Sequence, residues 1–427
     1  MKILICNYTG YRANWGSQAT SRGLVQFLAK TVPQGMDVDI DIMPYLPTHW
    51  LDHWQKMVYG KRLLATFSDP APGPDQLGLL ERLCNLRFGP MMKRIRQADI
   101  IFFQGEGALG NGREFQRVQL FGPTVLAKHL YRKPVVSINQ TVAYGSDAAE
   151  AALKAIFGSF DLNFVREPES LAKCAGDGWP QMALIPDAAF FYAPRQAAVS
   201  SIDRSDYFCV TGSANLGAYD LAAYARGIRA IARTCGLFPV FLYSRSSDEA
   251  VSQAYRSLGE AVYTVINSAT HPDVDQVLPI LAGARAVVGG RYHTSISALS
   301  QAVPVILTAS NSHKSAGLAQ MLGAENVSLV ADPTEDTLLA AMQAILAEGT
   351  ALKTRLAQSV QNLADTASQQ AGALQALFAT VSPGAEEGGR RVMPDPTLSP
   401  ARSAGGPLRA LSLARNLAAY DRPGNGD

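Results

Sequence analysis

Short apolar runs rich in β-branched and aromatic residues alternate with helical patterns along most of this 427-residue chain. KILICNY at the N-terminus precedes a helical pattern from Ser17 to Lys30, DIIFF precedes one from Phe121 to Tyr131, and VVSIN precedes one from Ala148 to Phe160. A continuous apolar run of this length is a strand covered on both faces, and its repetition with helices specifies βαβ units around a parallel sheet. After IPDAAFFY and a polar connection a second series begins: YFCVTGS, FPVFLYS, AVYTVI, ARAVVGG, VPVILTA and NVSLVAD. Beyond Asp332 the pattern is helical, through DTLLAAMQAILAEG and an alanine-rich run from Ala351 to about Thr380.

The chain is too long for one core, since domains run to roughly 100–200 residues. The expected class is α/β, with two Rossmann-like domains, closing helices and a tail. The first domain spans 1–195 with an insertion at about 44–90, and the second spans 206–381. Residues 382–427 are rich in Pro, Gly, Ser and Arg, a composition expected to be disordered apart from LRALSLARNLAAY. With 38 Lys plus Arg against 36 Asp plus Glu, the chain carries no broad electrostatic footprint for nucleic acid or an anionic membrane. Any cationic site must be local. The five cysteines are odd in number and widely spaced, which reads as free thiols. With no signal-peptide pattern and no apolar run of about 18 residues, the chain is expected in the cytoplasm.

DIIFFQGEGALGNG contains Gly105, Gly107 and Gly110 in the dinucleotide spacing G-x-G-x-x-G. That fingerprint needs an acidic residue about 20 positions on to hold a ribose, and here the next strand run ends in Asn139, Gln140 and Thr141. Glu106 also stands between two of the glycines, where its charge repels a pyrophosphate. An oxidoreductase is the weakest reading.

The segment between Asp275 and Glu325 contains no carboxylate, yet holds Arg285, Arg291, His293, His313 and Lys314. Its centre, VVGGRYHTSISALSQAVPVIL, reads as a strand ending in Gly289 and Gly290, then a helix capped by Thr294 or Ser295. Arg291 and His293 therefore belong beside a helix N-terminus at a strand's carboxyl end, where backbone amides favour anions and open α/β sheets bind ligands. The bland alternative is a capped turn with solvated charges. NFVREPESLAKC brings Arg166 to another strand end, where the ordinary role is pairing with Glu167 or Glu169. IPDAAFFY brings Asp187, and YTGYRANWGSQATS brings Arg12, Asn14 and Gly16. His49 and His53 stand at metal-binding spacing without a third ligand, so no metal is expected. Trp50 and Trp54 share a helix face, which more often means core packing than a sugar-stacking platform.

The order of these pieces resembles the polysaccharide pyruvyl transferase family over roughly residues 1–330. The carriers are Asn14-Trp15-Gly16, Asp99 running into Gly105 and Gly107, Val165-Arg166 with Ser170, Asp187 with Phe190, Arg291-x-His293 with Pro304, and Lys314. Ser17 and Gln18 stand where the family has an acidic pair, Glu106 interrupts the glycine run, Glu167 replaces Asp, and Ala188 replaces Pro. The resemblance implies two Rossmann-like domains facing across a cleft (GT-B-like), phosphoenolpyruvate as donor rather than as a resident cofactor, and a sugar or lipid-linked saccharide as acceptor. A peripheral membrane contact is compatible with such an acceptor. On this reading Arg291 and Arg166 clamp the donor's anionic groups, His293 moves protons, and Lys314 supports the charge. Gly290, Thr294, Asn14 and Gly16 line the binding cleft, and Gly105 and Gly107 let a sugar or an interdomain loop approach the backbone. Glu106 accepts a hydrogen bond from an acceptor hydroxyl. Two rivals share the fold: a nucleotide-sugar-dependent glycosyltransferase, which commonly needs a glutamate where the carboxylate-free window lies, and a non-catalytic sugar-binding relative.

Overall fold

The computed structural model describes residues 1–107, 109, 118–194, 199–214, 216–218, 220–310 and 312–381. Gly110 and the whole of the expected tail lie outside the described residues. The chain divides into two units. Of the described residues, the first holds Met1–Tyr11, Val25–Asp187 and 367–381, and the second holds Arg12–Leu24 and Ala188–Thr366. The loop carrying Asn14 and Gly16 thus belongs with the second unit, although it lies near the N-terminus.

The first unit is built on a six-stranded sheet of β1 (Lys2–Tyr8), β2 (Asp39–Pro44), β3 (Ile100–Gln104), β4 (Val135–Gln140), β5 (Leu162–Val165) and β6 (Ala183–Leu184). Every pairing is parallel, in the order β2-β1-β3-β4-β5-β6. β1, β3 and β4 are buried almost throughout, which is why they read as unbroken apolar runs. β2 carries no apolar run, because DIDIMP alternates acid and apolar residues at the sheet edge, where its burial is mixed.

The expected insertion forms helices Trp50–Phe67 and Pro74–Phe88. They contribute Leu63, Phe67, Leu80, Leu83 and Phe88 to the first core. Buried Asp52 pairs with Arg87 at 2.7 Å and ties the two helices together. Phe103, Phe121 and Phe157 meet in that core with centroids 4.8–6.2 Å apart, each ring worth roughly 1.5–3 kcal/mol of burial.

The second unit repeats the plan with β7 (Tyr207–Ser213), β8 (Phe238–Tyr243), β9 (Val265–Asn267), β10 (Val287–Gly290), β11 (Val305–Thr308) and β12 (Ser328–Val330). All pairings are again parallel, in the order β12-β11-β10-β7-β8-β9. This is the doubly wound dinucleotide-fold order, reversing between β7 and β10. The first sheet reverses between β1 and β3. Ligands of open α/β sheets bind outside the carboxyl ends at these reversals, so two places are singled out by topology alone. Helix Thr350–Thr380 closes the described chain, giving Leu352, Leu356 and Leu363 to the second core and setting Phe378 6.3 Å from Phe102 of β3.

Candidate functional site

In the second unit, β10 ends at the reversal in two glycines with different tasks. Gly289 takes φ +142 at a break in register between Val288 and Gly290, and a Cβ there would collide with Thr211 of β7. At Gly290 a Cβ would lie 2.5 Å from Ala309 O and 2.6 Å from Ser213 Oγ. Neighbouring strands therefore close around the turn that launches helix Tyr292–Leu299.

Arg291 occupies the cap position of this helix, with φ −80 and ψ 94. Thr294 and Ser295, expected as caps, lie inside the first turn, where the Ser295 hydroxyl donates to Arg291 O at 3.2 Å. Arg291 is 8% exposed, and its side chain turns to the segment after β8. Its Nε donates to Asp248 Oδ1 at 2.8 Å and its Nη2 to Ser247 Oγ at 3.0 Å, with Nη2 also 2.7 Å from Asp248 Oδ1. Asp248 is in turn held by Arg245 N at 3.0 Å and Ser244 Oγ at 3.2 Å, and Gly212 leaves room for its carboxylate. The carboxylate-free window is real in the sequence, but the fold fills it from 43 residues upstream. These contacts engage at most three of the five guanidinium N–H groups.

His293 sits half-buried in the first turn, its ring 5.3 Å from that of Tyr292. Gly16 lies against it: a Cβ on Gly16 would stand 2.5 Å from His293 Cβ and 2.8 Å from Nδ1. Asn14 Oδ1 accepts from Ser17 N at 3.1 Å and so caps the helix that begins at Trp15. The Trp15 indole donates to His271 O at 2.7 Å, and Gln18 reaches Pro272 O at 2.8 Å. The structure thus brings Asn14 and Gly16 together with Arg291 and His293. Lys314, the first residue of helix Lys314–Leu322, places Nζ 5.7 Å from the centre of the Tyr292 ring. Arg285 is not part of this group, because it precedes β10 and is exposed near the strand's amino end.

In the first unit, Arg166 is 1% exposed. Expected as an anion clamp, it is instead an internal tie: Nη1 donates to Asp187 Oδ2 at 2.8 Å, and Nε donates to Thr141 Oγ1 at 2.9 Å and lies 3.7 Å from Glu167 Oε2. Ser170 donates to Glu167 and accepts from Val142 N at 2.8 Å. Arg166 thus joins the ends of β4 and β5 to the segment beyond β6.

Glu106 stands at the β1/β3 reversal. Its carboxylate accepts from the Thr9 hydroxyl and the Gln104 amide, and its carbonyl accepts from Thr141 N at 3.2 Å. Gly105 is required because a Cβ would collide with Gln140, whereas a Cβ on Gly107 would meet nothing within 4 Å among the described residues. Asn7 (φ 62), Glu106 (φ 45) and Asn139 (φ 66) are three of the five non-glycine residues with positive φ among the described residues. They cluster at the carboxyl ends of the adjacent strands β1, β3 and β4. Asn7 and Asn139 coincide with breaks in register, so they are bulges. A left-handed Glu costs about 1–3 kcal/mol, and strain of this kind collects at ligand sites.

His49 serves as the cap of helix Trp50–Phe67, accepting from Leu51 N at 3.3 Å. Among the described residues no group of three or more His, Cys, Asp or Glu is placed to hold a metal.

Two parallel-sheet α/β units, each with a reversal of strand order, define a Rossmann-like, GT-B-like fold class. A putative UDP-N-acetylglucosamine 2-epimerase from Listeria monocytogenes is similar at TM-score 0.58 and 11% identity, over 89% of this chain and 97% of that one. The S. aureus MnaA–UDP structure is similar at TM-score 0.52 and 11% identity, over 84% and 91%. The glycotransferase of kitacinnamycin is similar at TM-score 0.50 and 15% identity, over 88% and 97%. At such identities the likeness speaks for fold alone. No curated protein matches the chain. A sequence model of the family described as "Polysaccharide pyruvyl transferase" matches residues 14–312, most of the chain, which therefore belongs to that family. No helix among the described residues is long and apolar enough to cross a membrane.

Proposed function

We propose that the protein transfers the pyruvyl group of phosphoenolpyruvate to two hydroxyls of a sugar in a polysaccharide precursor, forming a ketal. The observation that carries this reading is the placement of Arg291 and His293 in one helix start at the β7/β10 reversal, with Gly16 packed on the histidine. Phosphoenolpyruvate presents a carboxylate and a phosphate. The first-turn amides of Tyr292–Leu299, the remaining N–H groups of Arg291 and the Lys314 ammonium suit those anions. Asp248 is a positioning residue: it fixes the guanidinium plane and offsets part of its charge.

The chemistry balances with the groups assigned. His293 gives a proton to the donor's methylene carbon while one sugar oxygen bonds to C2, and that hydroxyl's proton passes to water. The second sugar oxygen then bonds to C2 as the C2–O bond to phosphate breaks. Phosphate leaves with the bonding pair and the second hydroxyl's proton, and the first hydroxyl's proton returns through solvent to His293.

The test is a thermal melt with phosphoenolpyruvate, a UDP-sugar and NAD in parallel. A ligand at about 100 times its dissociation constant adds roughly 2.7 kcal/mol to the folded state. Stabilisation by phosphoenolpyruvate alone is expected, and stabilisation by the UDP-sugar alone replaces this reading with a nucleotide-sugar transferase.

A further inference from the structure

Helix Trp50–Phe67 has a solvent face unlike the rest of the surface. Trp50 is 65% exposed, Met57 80% and Val58 50%, at positions i, i+7 and i+8, where side chains share one face. They are three of the nine large apolar side chains exposed among the described residues, so the concentration is local, in contrast to ordinary scatter. Trp54, half-buried one turn from Trp50, packs edge-on against Tyr59 at 5.7 Å and widens the stripe.

The charges of this helix are one-sided. Lys61, Arg62 and His53 are exposed and Lys56 is half-buried. Its only acid, Asp52, is buried and turned inward to Arg87. The next acids, Asp69 and Asp75, come after its last turn. An apolar, tryptophan-bearing stripe flanked by cations is the composition of a helix lying in a lipid interface, with its rings at headgroup level and its cations on anionic headgroups.

We infer that this face of Trp50–Phe67 docks the protein on an anionic lipid bilayer through Trp50, Met57 and Val58, held electrostatically by Lys61 and Arg62. The occupant is a bilayer because the exposed charges of this helix are all basic and flank its apolar stripe, the complement of anionic headgroups over an apolar interior. Such docking serves an enzyme whose saccharide acceptor is carried on a lipid.

Flotation of the full chain with vesicles of phosphatidylcholine alone, or with added phosphatidylglycerol, reads the docking without any substrate, so it stands or falls apart from pyruvyl transfer. Binding to the phosphatidylglycerol vesicles that weakens with salt is expected, with little binding to phosphatidylcholine alone. Lys61→Glu with Arg62→Glu lowers it by at least about 25-fold, from about fivefold for each charge lost. Trp50→Ser with Met57→Ser lowers it about tenfold or more. All four side chains are exposed, so these variants keep the wild-type melt, which is checked beside each flotation. Absence of vesicle binding, or binding that none of the substitutions changes, overturns the inference. So does a concentration-dependent dimer lost in Trp50→Ser with Met57→Ser and not accompanied by vesicle binding, which assigns the face to a second copy of the chain.

Discussion

Gly16 lies so close to His293 that a Cβ on the glycine would stand 2.5 Å from the histidine Cβ. The backbone of the helix that starts at Trp15 thereby forms one wall of the histidine's surroundings, and Asn14 holds that wall by capping the helix. Gly16→Ala must displace either the ring or the helix start. Overpacking of this kind costs about 1–3 kcal/mol. We expect a fall in turnover of at least about tenfold, since sub-ångström shifts of a proton-transfer group are costly. A melt and a steady-state assay on one preparation check this, and wild-type turnover in a folded Gly16→Ala protein would remove the contact from the mechanism.

Arg166 and Arg291 both end strands and both meet a buried aspartate, but Arg166 is almost wholly enclosed. Replacing it strands Asp187 and Glu167 without their cation. Arg166→Met should cost about 3–5 kcal/mol in a urea melt, and adding Asp187→Asn should recover part of that. A stability near wild type would contradict its role as an internal tie.

Glu106 combines a left-handed backbone with hydrogen bonds from Thr9 and Gln104. Glu106→Gln keeps the shape and removes the charge that would accept a hydrogen bond from a sugar hydroxyl. The apparent affinity for a sugar acceptor should fall about tenfold or more, with phosphoenolpyruvate binding by calorimetry unchanged. Loss of donor binding instead would place Glu106 on the donor side.

The thiols give a pH prediction. Burial, reinforced by Asp41 at Cys6 and by Asp177 at Cys174, pushes both thiols up to about 12, and burial raises Cys84 and Cys209 as well. Below an ordinary thiol value of 9.0 these groups are neutral whether folded or unfolded, so they leave stability unchanged. Above it the unfolded chain ionises while the folded chain keeps its protons. Stability should therefore fall as pH rises from about 9 toward 12, by up to about 1.4 kcal/mol per pH unit for each such thiol. Urea melts across that range test this, and a flat profile would contradict it.

The strands most legible in the sequence are those buried on both faces, β1, β3, β4, β7, β10 and β11, because enclosure forces unbroken apolar runs. β2 was hidden by its half-exposed alternation. At the candidate site, the glycines and the Arg291–His293 pair were readable because they are local. The partnership of Arg291 with Asp248 was not, since it depends on two strand ends meeting 43 residues apart. SRSSDEA does place an acid just after a strand, the one signal that pointed to it. The same limit applies to Arg166, whose neighbours in sequence are acids but whose nearest partner is Asp187, 21 residues on. The bulges at Asn7 and Asn139 left no signal beyond an asparagine near a strand end.

The most direct test is phosphate release from phosphoenolpyruvate in the presence of candidate sugars, titrated in donor for wild type and His293→Asn. Wild type should release phosphate, and the variant should lose about 100-fold to 10,000-fold in turnover with a donor KM nearly unchanged, as for a lost acid or base that is not a binding group. Release at the wild-type rate by His293→Asn, or no release by wild type with any acceptor, would contradict pyruvyl transfer through His293.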